Sequence, residues 1–97
     1  MAKVILTPTF LSELKEIIEF ITTFYDKESA INIKNQLLDS ISLLENFPRS
    51  GHIICYDGDK AIYRIIKGRY NIYYNYANDY MRIISIVDSK RDLKYLN

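Results

Sequence analysis

The stretch from Ala61 to Val87, AIYRIIKGRYNIYYNYANDYMRIISIV, decides the fold. Three runs rich in Ile, Val and Tyr (Ala61 to Lys67, Tyr70 to Ala77, Tyr80 to Val87) are separated by Gly68-Arg69 and Asn78-Asp79, dipeptides suited to two-residue hairpin turns. β-Branched and aromatic side chains favour a pleated surface, so the spacing predicts a three-strand antiparallel meander. Alternation puts Tyr70, Ile72, Tyr74 and Tyr76 on one side of the middle strand and Asn71, Tyr73 and Asn75 on the other, which is the more polar side.

Upstream, the period changes. Pro48 to Asp59 holds Gly51 and Gly58, the latter flanked by Asp57 and Asp59, and reads as a loop. Before it, Ala30, Ile33, Leu37, Ile41 and Leu44 form a helical stripe that Asp26 starts and Phe47-Pro48 stops. An earlier stripe of Leu14, Ile18, Ile21 and Tyr25, reinforced by Phe10, Ile17 and Phe24, predicts an amphipathic helix of about four turns. Thr7 stands where an N-cap belongs and Pro8 at the first helical position. Ala2 to Leu6 reads as a short strand. The link between the helices is short enough to predict an antiparallel hairpin, and its apolar stripes need a sheet face to cover. The expected architecture is therefore α+β in two layers: strand, helix hairpin, three-strand meander.

A chain of 97 residues, 48% hydrophobic and 26% charged, suffices for one modest core, so residues 1–97 are expected to form a single domain. Its one cysteine, Cys55, the absence of a secretory-type start and the absence of about 18 consecutive apolar residues predict a cytoplasmic protein with no membrane role. The net charge of +1 conceals an asymmetry: residues 1–59 carry five Lys/Arg against nine Asp/Glu, whereas residues 60–97 carry eight against three. The basic C-terminal third fits either a solvated face or a polyanion site.

No phosphate-binding glycine loop, zinc-ligand pairing or nucleophile elbow is present, and no metal or cofactor is expected. His52 reads as an exposed loop residue or one with a proton-transfer or partner-contact role. Cys55 reads as a small, half-buried apolar residue. Of nine tyrosines, Tyr63, Tyr70, Tyr73, Tyr74 and Tyr76 fall on adjacent strands, where packing is the plain explanation and base stacking the functional one. Asp88 to Tyr95 concentrates Lys90, Arg91 and Lys94 with a tyrosine just past the last strand, where a site built from several strands converges.

Taken in order, Ala30, Leu37, Ile41, Leu44, Pro48 and Gly51, then Tyr63-Arg64-Ile65-Ile66, Gly68-Arg69-Tyr70-Asn71-Ile72-Tyr73-Tyr74 and Ile86-Val87-Asp88-Ser89-Lys90-Arg91-Asp92, resemble the RelE/ParE toxin superfamily over nearly the whole chain. That resemblance implies the toxin of a type II toxin–antitoxin pair, associated with plasmid stabilisation and growth inhibition. It also implies a cognate antitoxin that neutralises it in a hetero-oligomer. RelE-like members cut messenger RNA on the ribosome through attack of the ribose 2′-OH, whereas ParE-like members inhibit DNA gyrase without that chemistry.

Cleavage requires a proton acceptor, a proton donor and cations that stabilise the phosphorane. By resemblance, the nucleases place an arginine after the tyrosine that begins the middle strand; here that position is Asn71. A neutral amide does not replace a charge-assisted phosphate contact, which favours the gyrase-inhibiting branch. On the nuclease alternative, Arg91, Arg64 and Tyr95 would be catalytic. Lys90, Lys67, Arg69, Asn71 and Tyr73 are the expected target-binding residues. By strand parity Arg64 shares a side with Ile62 and Ile66, so an ion-pair role is as natural for it as target binding. A degenerate member that has lost toxicity is the third reading.

Overall fold

Thr7 joins the two layers. In the computed structural model, which describes residues 2–92, β1 (Lys3–Leu6) leads through Thr7 into α1 (Pro8–Phe24). The Thr7 hydroxyl oxygen accepts from the Phe10 amide at 3.2 Å, capping the helix while Pro8 fills a position whose N–H has no helical acceptor. α2 (Lys27–Asn46) starts the same way, the Ser29 amide donating to the Asp26 carboxylate at 2.6 Å, and ends at Phe47 before Pro48. The remaining strands are β2 (His52–Asp57), β3 (Lys60–Lys67), β4 (Tyr70–Ala77) and β5 (Tyr80–Asp88), followed by a short 3-10 turn, Ser89–Arg91.

The α+β architecture is as expected, with one strand more. The segment Pro48 to Asp59, expected as a loop, contains β2, so the meander has four strands and His52 and Cys55 lie on a strand. Two glycines and a register break between Ile53 and Cys55 disguise the alternation, and pairing with β3 supplies the hydrogen bonds that local propensity does not. β1 adds in parallel beside β5, giving the order β1-β5-β4-β3-β2.

The three hairpin turns use the backbone that their residues allow. Gly58 and Gly68 take φ of +65° and +60° at the first turn position, where a side chain is penalised. Asn78 and Asp79 both have positive φ, 54° and 64°, the pair of left-handed residues that a type I′ turn needs and that Asn and Asp tolerate best after glycine.

The helix hairpin covers one sheet face. Phe10 and Leu14 of α1 and Leu37, Ile41 and Leu44 of α2 pack with Tyr63, Tyr70, Ile72, Tyr74, Met81, Ile83 and Ile86. Most of the strand tyrosines are thus core: Tyr63 stacks on Tyr74 at 5.0 Å between ring centroids, and the Tyr74 hydroxyl accepts from the Gly51 amide at 3.0 Å. Phe24 and Tyr25 leave the stripe predicted for α1, being 68% and 69% exposed: Tyr25 lines a groove beside the sheet, and Phe24 packs on Phe20.

β5 carries a bulge. Tyr73 pairs with Ser85 but Tyr74 with Ile83, so Ile84 is the extra residue. β1 flanks β5 only as far as the Leu6–Ile83 pair. Beyond it Thr7 takes over, its hydroxyl donating to the carbonyls of Ile83 at 2.7 Å and Ile84 at 3.1 Å. Glu13 continues the edge, accepting from Ser85 Oγ at 2.6 Å and from the Ile86 amide at 3.2 Å. Backbone groups that a shortened neighbouring strand would leave bare are satisfied by α1.

Candidate functional site

The end of the sheet where β3 turns into β4 and β5 runs out gathers most of the basic residues singled out above. Lys67 closes the β3–β4 hairpin opposite Tyr70, and Tyr70 in turn pairs with Asp88. The Ser89 amide donates to the Arg69 carbonyl at 2.7 Å, which brings the Lys90-Arg91 turn against the Gly68-Arg69 turn. One corner therefore displays Lys67, Arg69, Lys90 and Arg91, all exposed.

Arg69 is engaged, its Nη2 lying 2.6 Å from Asp88 Oδ2. Asp88 also accepts from the Lys90 amide at 2.9 Å, and this bond, ahead of the arginine, holds its carboxyl below the ordinary value of 3.8. The same pair raises the Arg69 guanidinium further above its usual range. Lys90 and Arg91 present their side chains to solvent at the lip of this fixed pair.

Next to the corner lies a groove of about 670 Å³ between α1, the start of α2 and the ends of β4 and β5. Ile17, Ile21, Ile33, Tyr70 and Ile86 make its floor apolar, Phe20 and Tyr25 overhang it, and Arg69, Asp88 and Arg91 stand on its rim with Glu13 and Glu16. Phe20 and Phe24, one helical turn apart, pack ring to ring at 4.8 Å while remaining largely exposed. An apolar trough of this shape accepts an amphipathic helix, and its rim is mixed in charge, with Arg91 exposed beside the Arg69–Asp88 pair and Glu13 and Glu16 on the α1 side.

On the sheet face away from the helices the expected polar side forms a cluster. Asn71 and Tyr73 are buried, at 7% and 1% exposure, and both donate to Asp92: Asn71 Nδ2 at 2.8 Å, and the Tyr73 hydroxyl through a short bond. Burial, then the Asp92 carboxylate, pushes the Tyr73 hydroxyl above its usual 10.0. Arg64, opposite Tyr73 in the register, is half-buried beside that hydroxyl. Its Nε and the Oδ1 of Asn71 are buried without a hydrogen-bond partner among the described residues. Arg64 thus belongs to this cluster and not to the basic corner, and Asn71 and Tyr73 hold the returning chain from beneath. Tyr95 lies outside the described residues.

Sequence reasoning missed Asp92 as the centre of the polar cluster and the α1 wall of the groove. Phe20, Phe24 and Tyr25, adjacent turns of aromatic residues at a helix end, are the signal in the sequence that would have suggested the second. No three His, Cys, Asp or Glu side chains converge as metal ligands among the described residues, and no helix of theirs is long and apolar enough to cross a membrane.

Residues 4–93 match the family model described as ParE toxin of type II toxin-antitoxin system, parDE. Among solved structures, the chromosomal ParDE TA system from P. aeruginosa is similar with a TM-score of 0.73, covering 91% of this chain and 96% of that chain at 10% sequence identity. At that identity the likeness speaks for the fold. No curated protein matches the sequence.

Proposed function

The chain belongs to the ParE toxin family of type II toxin–antitoxin systems, and from that premise we propose that it inhibits DNA gyrase by protein contact and is silenced by a cognate antitoxin. The observation that carries the gyrase reading is the environment of Asn71. Where the family's nucleases are expected to hold an arginine against the scissile phosphate, this chain has a buried amide tied at 2.8 Å to the carboxylate of Asp92. A phosphate approaching Asn71 would meet a carboxylate, and Coulomb repulsion at that range opposes the charge build-up of phosphoryl transfer. Four exposed basic residues, Lys67, Arg69, Lys90 and Arg91, stand instead at the neighbouring corner, suited to contact with an acidic protein surface.

The antitoxin reading rests on the groove. We assign to it an amphipathic segment whose apolar residues sit on Ile17, Ile21 and Tyr70 and whose carboxylates meet Arg69 and Arg91. Residues 3–88 contribute to one sheet and its helical cover, which supports reading residues 1–97 as a single domain; its place of action on this proposal is the cytoplasm, where gyrase works.

The test is a supercoiling assay with purified gyrase and the purified chain. Loss of supercoiling, restored by the antitoxin, is the expected result. Growth arrest on induction with gyrase fully active in vitro would sink the reading. The alternative, a ribosome-dependent endoribonuclease, draws its support from the exposed Lys90-Arg91 pair and from the half-buried Arg64, whose Nε has no hydrogen-bond partner among the described residues. Mapping messenger RNA 5′ ends after induction decides it, since codon-spaced cuts appear under that reading alone.

A further inference from the structure

β2 closes one side of the sheet, and among the described residues it has a strand neighbour on its inner side only. Its sequence, HIICYD, contains no Lys or Pro; its bulge and the charge of Asp57 oppose indiscriminate pairing and restrict the edge to a strand that matches both. Ile53 is 50% and Tyr56 63% exposed, so the strand carries apolar surface at its rim.

The bulge gives this edge an internal symmetry. His52 pairs with Arg64 and Cys55 with Ile62, while Ile54 has no partner on β3. His52, Cys55 and Asp57 therefore share the face of Arg64, Ile62 and Lys60, and Ile53 and Tyr56 share the opposite face with Tyr63 and Ala61. In a regular strand His52 and Asp57, five positions apart, would point to opposite sides. The extra residue returns them to one side and makes the order of faces read the same from either end.

We propose that the outer edge of β2 pairs with β2 of a second copy of this chain, antiparallel and centred between Ile54 and Cys55, to form one continuous sheet across a twofold axis. In that register His52 of each copy faces Asp57 of the other, and Ile53 faces Tyr56, each pair occurring twice and each pair on one side of the sheet. The chemistry commits the edge to this occupant. An imidazole that stands next to Arg64 meets a carboxylate, and a β-branched residue meets an aromatic ring, both favourable cross-strand neighbours. Twofold pairing repeats each contact, as an isologous interface requires. Six residues of strand bury less than the about 800 Å² per partner of a standard interface, so the association is concentration-dependent and reversible. The inference is independent of what the toxin inhibits.

Sedimentation velocity of the full chain from micromolar to millimolar concentration tests it. The wild type is expected to shift towards a dimer. His52→Asp, which sets carboxylate against carboxylate, and Asp57→His, which sets imidazole against imidazole, each weaken dimerisation at least about tenfold. Mixing the two single variants restores it, because each then faces its complement. All these side chains are exposed, and circular dichroism confirms that the variants fold. A chain that stays monomeric to millimolar concentration overturns the proposal, and so does a dimer indifferent to both substitutions or one that mixing does not restore.

Discussion

Glu13 Oε1 accepts a 2.6 Å hydrogen bond from Ser85 Oγ across 72 positions of sequence. The same oxygen accepts from the Ile86 amide at 3.2 Å, so a helix side chain does the work of a missing strand along β5. Replacement by leucine leaves a buried amide and a buried hydroxyl without their acceptor. Glu13→Leu is expected to destabilise the fold by about 1–3 kcal/mol, and Glu13→Gln, which keeps an accepting oxygen, by under about 1 kcal/mol. Urea denaturation of both variants measures the difference. Equal losses would mean that the helix side chain packs against β5 without serving as its acceptor.

Gly51 is fixed by space and not by backbone freedom. A Cβ built on it would lie 2.7 Å from the Tyr74 hydroxyl and 3.1 Å from the Arg64 carbonyl oxygen. Gly51→Ala is expected to cost about 1–3 kcal/mol through overpacking. In a Tyr74→Phe background the cost of the same change falls, because the hydroxyl is gone. A double-mutant cycle by thermal or urea denaturation reads that coupling, and strictly additive losses would show that the two sites do not clash.

The helices, both N-caps and the β3–β4–β5 hairpins were legible because each depends on residues close in sequence: Thr7 with Pro8, Asp26, Gly68-Arg69, Asn78-Asp79. β2 was not legible, since Ile54 breaks its alternation and β3 provides its pairing. Asn71 and Tyr73 were recognised as the polar side of β4, yet their burial depends on the chain returning at Asp92, and such a return leaves no periodic mark. The groove is tertiary in the same sense. Its floor joins Ile17 and Ile21 to Tyr70 and Ile86, and only the overhanging aromatics at the end of α1 announce it locally.

Alkaline pH should expose the tyrosines of the sheet. Burial foremost pushes the hydroxyls of Tyr70, Tyr73 and Tyr74 above 10.0 in the folded protein, with neighbouring Asp92 adding to the rise at Tyr73. A raised folded-state value means that the unfolded chain loses these protons first. Stability that is whole below pH 10.0 is therefore lost as the pH climbs through 10.0 towards the folded-state values. Tyrosinate absorbance followed beside circular dichroism is expected to show these three ionising together with unfolding. Tyr73→Phe should make the alkaline loss shallower. An unchanged slope in that variant would remove Tyr73 from the account.

At the basic corner, charge and exposure separate the residues by role. Arg69 is committed to Asp88 at 2.6 Å and helps brace the two turns, whereas Lys90 and Arg91 project from the lip with their side chains exposed. If these two steer the toxin onto an acidic surface of gyrase, reversing them should act on binding and leave folding alone. The double change Lys90→Glu with Arg91→Glu is expected to raise the concentration needed for half-inhibition of supercoiling at least about tenfold, a loss of about 1.4 kcal/mol. The thermal midpoint should move little, because surface substitutions away from packed features usually change stability by less than about 0.5 kcal/mol. Arg91 also lines the groove, so antitoxin affinity is measured alongside, and a weakened antitoxin complex is expected as well. Unchanged inhibition by a folded double variant would exclude the corner as the target contact and turn attention to the overhanging aromatics of α1.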